Sequence, residues 1–142
     1  MIKLWHVIAA KIFITLLLWC LPLLFAPKTF FDWVGIPFCE PGIFNRLLGS
    51  AYAALVVAYW YGLVEARNGG SAIATVQMGF VSNGVAAIIL GVFGFKGSWS
   101  NWSTLAQVYM WLLFSATVLI TLGFIITGLI PTKNSASGMG NI

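Results

Sequence analysis

The stretch Leu4–Ala26 reads LWHVIAAKIFITLLLWCLPLLFA, and Lys11 is its one Lys, Arg, Asp or Glu. A helix rises about 1.5 Å per residue and a bilayer's hydrocarbon is about 30 Å thick, so about 20 apolar residues span it. This stretch meets that length. Three more follow without a charged side chain: Leu47–Val64, Ala72–Gly94 and Leu105–Ile130. The pattern predicts an all-α integral membrane protein, a four-helix antiparallel bundle over residues 1–131. Residues 132–142, rich in Ser, Gly and Asn, read as a flexible polar tail.

Composition points the same way. Of 142 residues, 61% are hydrophobic and 7% charged, against about a quarter charged in soluble domains. The net charge of +4 comes from scattered Lys and Arg, with no basic stripe of the kind that tracks nucleic acid. Lys3 and Lys11 ahead of Ile12–Phe25 have the outline of a signal peptide. Leu24, however, stands where a cleavage site needs a small residue, and Pro27 follows Ala26, so a retained helix is expected. Cys20 and Cys39 are read as two free thiols.

The connections carry most of the remaining information. Pro22 predicts a kink in the first span and Pro27 its end. The segment after it, PKTFFDWVGIPFCEPGIF (27–44), is too apolar for a solvated loop and too broken by Gly and Pro to cross a membrane. It predicts a short interfacial helix at Thr29–Val34, with Phe30, Phe31 and Trp33 at headgroup level. Glu65–Ser71 is a tight polar turn, and Phe95–Thr104 places Trp99 and Trp102 in the aromatic belt. The Asn101-Trp102-Ser103 sequon lies too close to the membrane for modification. Lys3, Arg67 and Lys133, with Lys11, face Lys28, Arg46 and Lys96 across the bundle, which favours cytoplasmic termini.

Small residues dominate close helix contacts in lipid. Ser50, Ala54, Ala58 and Gly62 form such a row in the second span, and Gly84, Ala87 and Gly91 in the third. Either row serves packing within the chain or reception of another subunit.

Polar residues inside spans are the candidates for function. Lys11 has three readings: its ammonium snorkels to the interface, it pairs internally (Glu65 being the nearest acid by depth), or it meets a ligand or proton. Tyr59 and Gln77 share its leaflet. Asn83, at mid-span, predicts a hydrogen bond to Ser115 or Thr117, or a substrate contact. Arg46 predicts a pair with Asp32 or Glu40, or a headgroup phosphate contact. His6, the lone histidine, reads as an interfacial group, so no bis-His haem forms within one chain. No nucleophile–base pair, metal-ligand cluster or phosphate loop is legible, so no catalytic residue is assigned.

Phe30–Pro37 (FFDWVGIP), then Arg46–Gly49 (RLLG) opening a small-residue run with tyrosines, resembles the DoxX-like group of small bacterial four-helix membrane proteins over roughly Leu16–Tyr61. The resemblance implies a bacterial inner membrane and an accessory place near quinone oxidoreductases, and it carries no functional residue onto this chain. The leading expectation is a non-catalytic accessory subunit of a larger membrane complex. Its partners would be membrane lipids and other subunits or a second copy, with no cofactor of its own. The alternative is a small protein that binds or transports a lipophile, a lipid or quinone held near Lys11, Tyr59, Gln77 and Asn83.

Overall fold

The computed structural model describes residues 3–38 and 40–129, so Cys39 and the tail, with Lys133, lie outside the described residues. Within them the chain is helical: α1 (Leu4–Phe25), α2 (Lys28–Val34), α3 (Ile43–Arg67), α4 (Ile73–Phe95) and α5 (Thr104–Phe124), the last running on into a π-helical turn at Ile125–Leu129. Four of these are long and apolar enough to cross a membrane. The packing is most extensive between α4 and α5 and between α1 and α3.

Helix boundaries follow local chemistry. Ala26 turns extended before Pro27, which cannot donate a backbone bond. Gly35 closes α2 at φ 84°, where its N–H and that of Ile36 both reach Phe31 O. A side chain there would also strike Ser103. Ser103 caps α5, its Oγ accepting the Ala106 N–H at 3.1 Å. The same hydroxyl donates to Val34 O, which ties α2 to the start of α5. The short helix after Pro27 begins one residue earlier than expected, at Lys28. There the ammonium meets Asp32 at 3.0 Å one turn on. That hydrogen bond, with the carboxylate's charge, raises the Lys28 pKa. Phe30 and Trp33 point outward while Phe31 and Val34 are buried.

Proline also shapes the middle of α1. Pro22 has no N–H for the carbonyl four residues back, Leu18. Around it the helix relaxes into a π turn over Leu16–Cys20, with Leu21 N–H on Leu16 O. The freed Leu18 carbonyl accepts the hydroxyl of Tyr109 on α5. Pro27 leaves Leu23 O in the same position, and here Arg46 of α3 intervenes. Its Nη1 donates to Leu23 O at 2.8 Å and its Nη2 to Ala26 O at 2.9 Å. Arg46 therefore does not pair with Asp32 or Glu40. The fork fits two carbonyls at a helix C-terminus, where the backbone's partial negative charge gathers.

Glycine sets the closest helix approaches. A Cβ on Gly49 would stand 2.9 Å from Leu24 of α1, and one on Gly62 would stand 2.1 Å from the Thr75 hydroxyl of α4. On α4, Gly79 makes room for Phe124, Gly91 for Phe114, and Gly94 for Trp99 and Trp111. The small-residue row of α3 does not stay on one face: Gly62 is buried, Ala58 half-buried, Ala54 and Ser50 exposed. Steps of four residues advance about 40° beyond a full turn, so such a row winds away from any straight neighbour. On α4, Gly91 is buried while Gly84 and Ala87 are half-buried. Trp99 is buried rather than free on the surface. It is 5% exposed and packs on Gly94, edge-on to Trp111, while Trp102 is half-buried beside it. The Cys20 thiol is free and buried, 3.8 Å from Gly49 O.

Candidate functional site, a closed polar centre

Side chains from α1, α3, α4 and α5 converge in the core. Lys11 projects inward from α1 because Ile8 and Thr15, within one turn on either side of it, are fully buried on the same face. Its Nζ donates to Asn83 Oδ1 of α4 at 2.7 Å. The ammonium also lies 5.6 Å from the ring centroid of Tyr59 on α3. The Tyr59 hydroxyl is 2.9 Å from Ser82 Oγ, which neighbours Asn83 on α4. Asn83 Nδ2 donates to Gly79 O one turn earlier at 2.7 Å. Phe124 of α5 stacks on Tyr59 from the remaining side, with centroids 6.5 Å apart. Gly79 permits this, because any Cβ there would sit 2.3 Å from the Phe124 ring.

Burial decides what this cluster is. Tyr59 and Phe124 are 0% exposed, Asn83 1% and Lys11 7%. Lys11 therefore does not snorkel, nor does it meet Glu65, whose Oε1 accepts the N–H of Ala72, just ahead of α4, at 2.9 Å. The energetics allow an inward lysine. Were the helix to cross a membrane, a charge at its middle would cost about 2.5–3.5 kcal/mol. A hydrogen bond with a charged partner returns about 1.5–3 kcal/mol. The tyrosine face adds up to about 2 kcal/mol when desolvated. Asn83 supplies an acceptor without a second charge to desolvate, an advantage over a carboxylate at that depth.

Asn83 does not use Ser115 or Thr117. Those hydroxyls donate along their own helix, to Trp111 O at 2.9 Å and Phe114 O at 2.8 Å, as Ser and Thr in helices commonly do. Gln77 is exposed on another face of α4, apart from the cluster. The structure thus gathers Lys11, Tyr59 and Asn83 and leaves Glu65 and Gln77 out. It adds Ser82, Gly79 and Phe124, which the sequence reading missed. Gly79 stands four residues before Asn83, and that spacing was the available signal. Thr15 was missed too, four residues after Lys11; its Oγ1 is buried without a hydrogen-bond partner.

A second polar group gathers at the rim where α1 begins. Lys3 N–H donates to His6 Nδ1 at 3.1 Å, His6 stacks on Trp5, and the Arg67 guanidinium lies 5.6 Å from the Trp5 ring centroid. This brings the start of α1 beside the end of α3. No protein-family model, curated protein or solved structure matches the chain.

Proposed function

We propose that this chain is a multi-pass membrane protein serving as a non-catalytic accessory subunit of a larger membrane assembly. In this reading the four apolar helices insert with successive helices antiparallel. The resemblance to DoxX-like proteins points to a bacterial inner membrane and a partner near quinone chemistry, and the balance of Lys and Arg favours cytoplasmic termini. The observation that carries the reading is the contrast between centre and surface. The ionisable core group is sealed behind Tyr59, Asn83 and Phe124, a pin rather than a site that turns over substrate. The α3 face bearing Ser50 and Ala54 stays open, flanked by exposed Leu47, Val57 and Tyr61. Open small residues give a neighbouring helix close backbone approach.

Two experiments test this. Single cysteines at Asn68 and Ser100 should label with an impermeant reagent from opposite sides of the membrane. Labelling of both from one side would refute the four-span topology. Ala54→Leu should then leave thermal stability within about 0.5 kcal/mol, as surface changes usually do, while removing co-purifying chains on native purification. If no chain co-purifies with the unmodified protein, the accessory reading fails.

A further inference from the structure

A large concavity lies away from the polar centre. It is an open groove of about 1460 Å³ between α1 and α5. Along α1 it runs from Lys3, just ahead of the helix, past Ala10 to Leu18, and along α5 from Leu112 past Ala116 to Thr127 in the π-helical turn that follows. Fifteen residues of helix rise about 22 Å, most of one hydrocarbon thickness. Its floor is the close contact of Val7 with Gly123, where an added Cβ would stand 3.0 Å from Val7 Cγ1. The walls are apolar even where the residues are not. The hydroxyls of Ser115 and Thr127 donate to carbonyls of their own helix, Trp111 O and Gly123 O.

The polar end is at one rim alone. Lys3 and His6 line the groove there, with Arg67 close by over Trp5. Because His6 Nδ1 accepts the Lys3 backbone N–H, its Nε2 carries the proton and is available as a donor. No described lining residue is acidic. A long apolar trough ending at a lysine and a histidine donor matches one ligand chemistry: an acyl chain joined to an anionic head.

We propose that the groove between α1 and α5 holds one acyl chain of an anionic phospholipid, with the phosphate at Lys3 and His6. This rests on membrane insertion, which the labelling experiment tests separately, and is independent of the accessory role. The lysine weights binding toward anionic headgroups by about fivefold, and the groove's length selects a chain over a compact ring.

The test is native mass spectrometry of the full chain in mild detergent. Phosphatidylglycerol or phosphatidylcholine of identical acyl composition is added, and retained lipid is counted. The unmodified protein should retain one phosphatidylglycerol about fivefold better than phosphatidylcholine. Lys3→Gln should bring the two lipids to parity. Ala10→Trp and Ala116→Trp, each filling the trough at a different wall, should abolish retention of both while circular dichroism and thermal midpoint hold. Equal retention of the two lipids by the unmodified protein would overturn the proposal, as would retention that survives both tryptophan variants. A dimer that Ala10→Trp dissociates without changing the lipid count would assign the groove to a second copy. Lipid bound only after removal of residues 131–142 would assign it to that segment.

Discussion

Asn83→Leu should destabilise the protein by about 3–5 kcal/mol, the cost of leaving a buried charge without its partner. The side chains are similar in size, so the loss is electrostatic rather than steric. Lys11 Nζ would lose its acceptor at 2.7 Å and keep only the Tyr59 face, in a core where it is 7% exposed. Lys11→Met alone should cost less, about 1–3 kcal/mol, because it strands only a neutral amide oxygen. The double variant should be more stable than Asn83→Leu alone, since the charge that made the single change costly is gone. Thermal or denaturant unfolding in one detergent, across the four members of this cycle, measures the coupling directly. A double variant as unstable as Asn83→Leu would mean that packing around Asn83, not the lysine charge, sets the loss.

Arg46→Ala should cost about 3 kcal/mol by a different route. Two charge-assisted hydrogen bonds close the C-terminal end of α1, on Leu23 O and Ala26 O. Each such bond contributes about 1.5–3 kcal/mol, and the two share one side chain, so they do not simply add. Arg46→Lys keeps the charge but offers a point donor in place of a fork, and should recover roughly half of the loss. Asp32→Asn distinguishes this role from a carboxylate pair. With Asp32 bound to Lys28 on the surface, its loss should register under about 1 kcal/mol. An Asp32→Asn variant as unstable as Arg46→Ala would restore the ion-pair account.

The two networks show why partners are harder to read from sequence than the presence of Lys11, Asn83 and Arg46. Lys11, Asn83 and Arg46 stand out in one dimension because charge and amide are rare in apolar spans. Depth can be estimated by counting residues, but rotation about the helix axis cannot. Asn83 shares a depth with Ser115 and Thr117, yet those hydroxyls are spent on their own helix. By chain position the loop acids are nearest Arg46, but the stronger demand comes from carbonyls that Pro27 and the helix end leave open.

Sequence alone determined the four apolar helices, their ends to within a few residues, and the short helix after Pro27. These follow from hydropathy, from proline's missing donor and from Gly35's left-handed turn, all local properties. Tertiary structure decided which face of each helix turns inward. It brought Lys11 against Asn83 and Tyr59, wound Ser50 and Ala54 out to the surface, and opened a trough between α1 and α5. The helices of this chain are apolar nearly all round, so their hydrophobic pattern names no inward face. A few glycines and the polar bonds between helices supply that choice, and they act only once the helices meet.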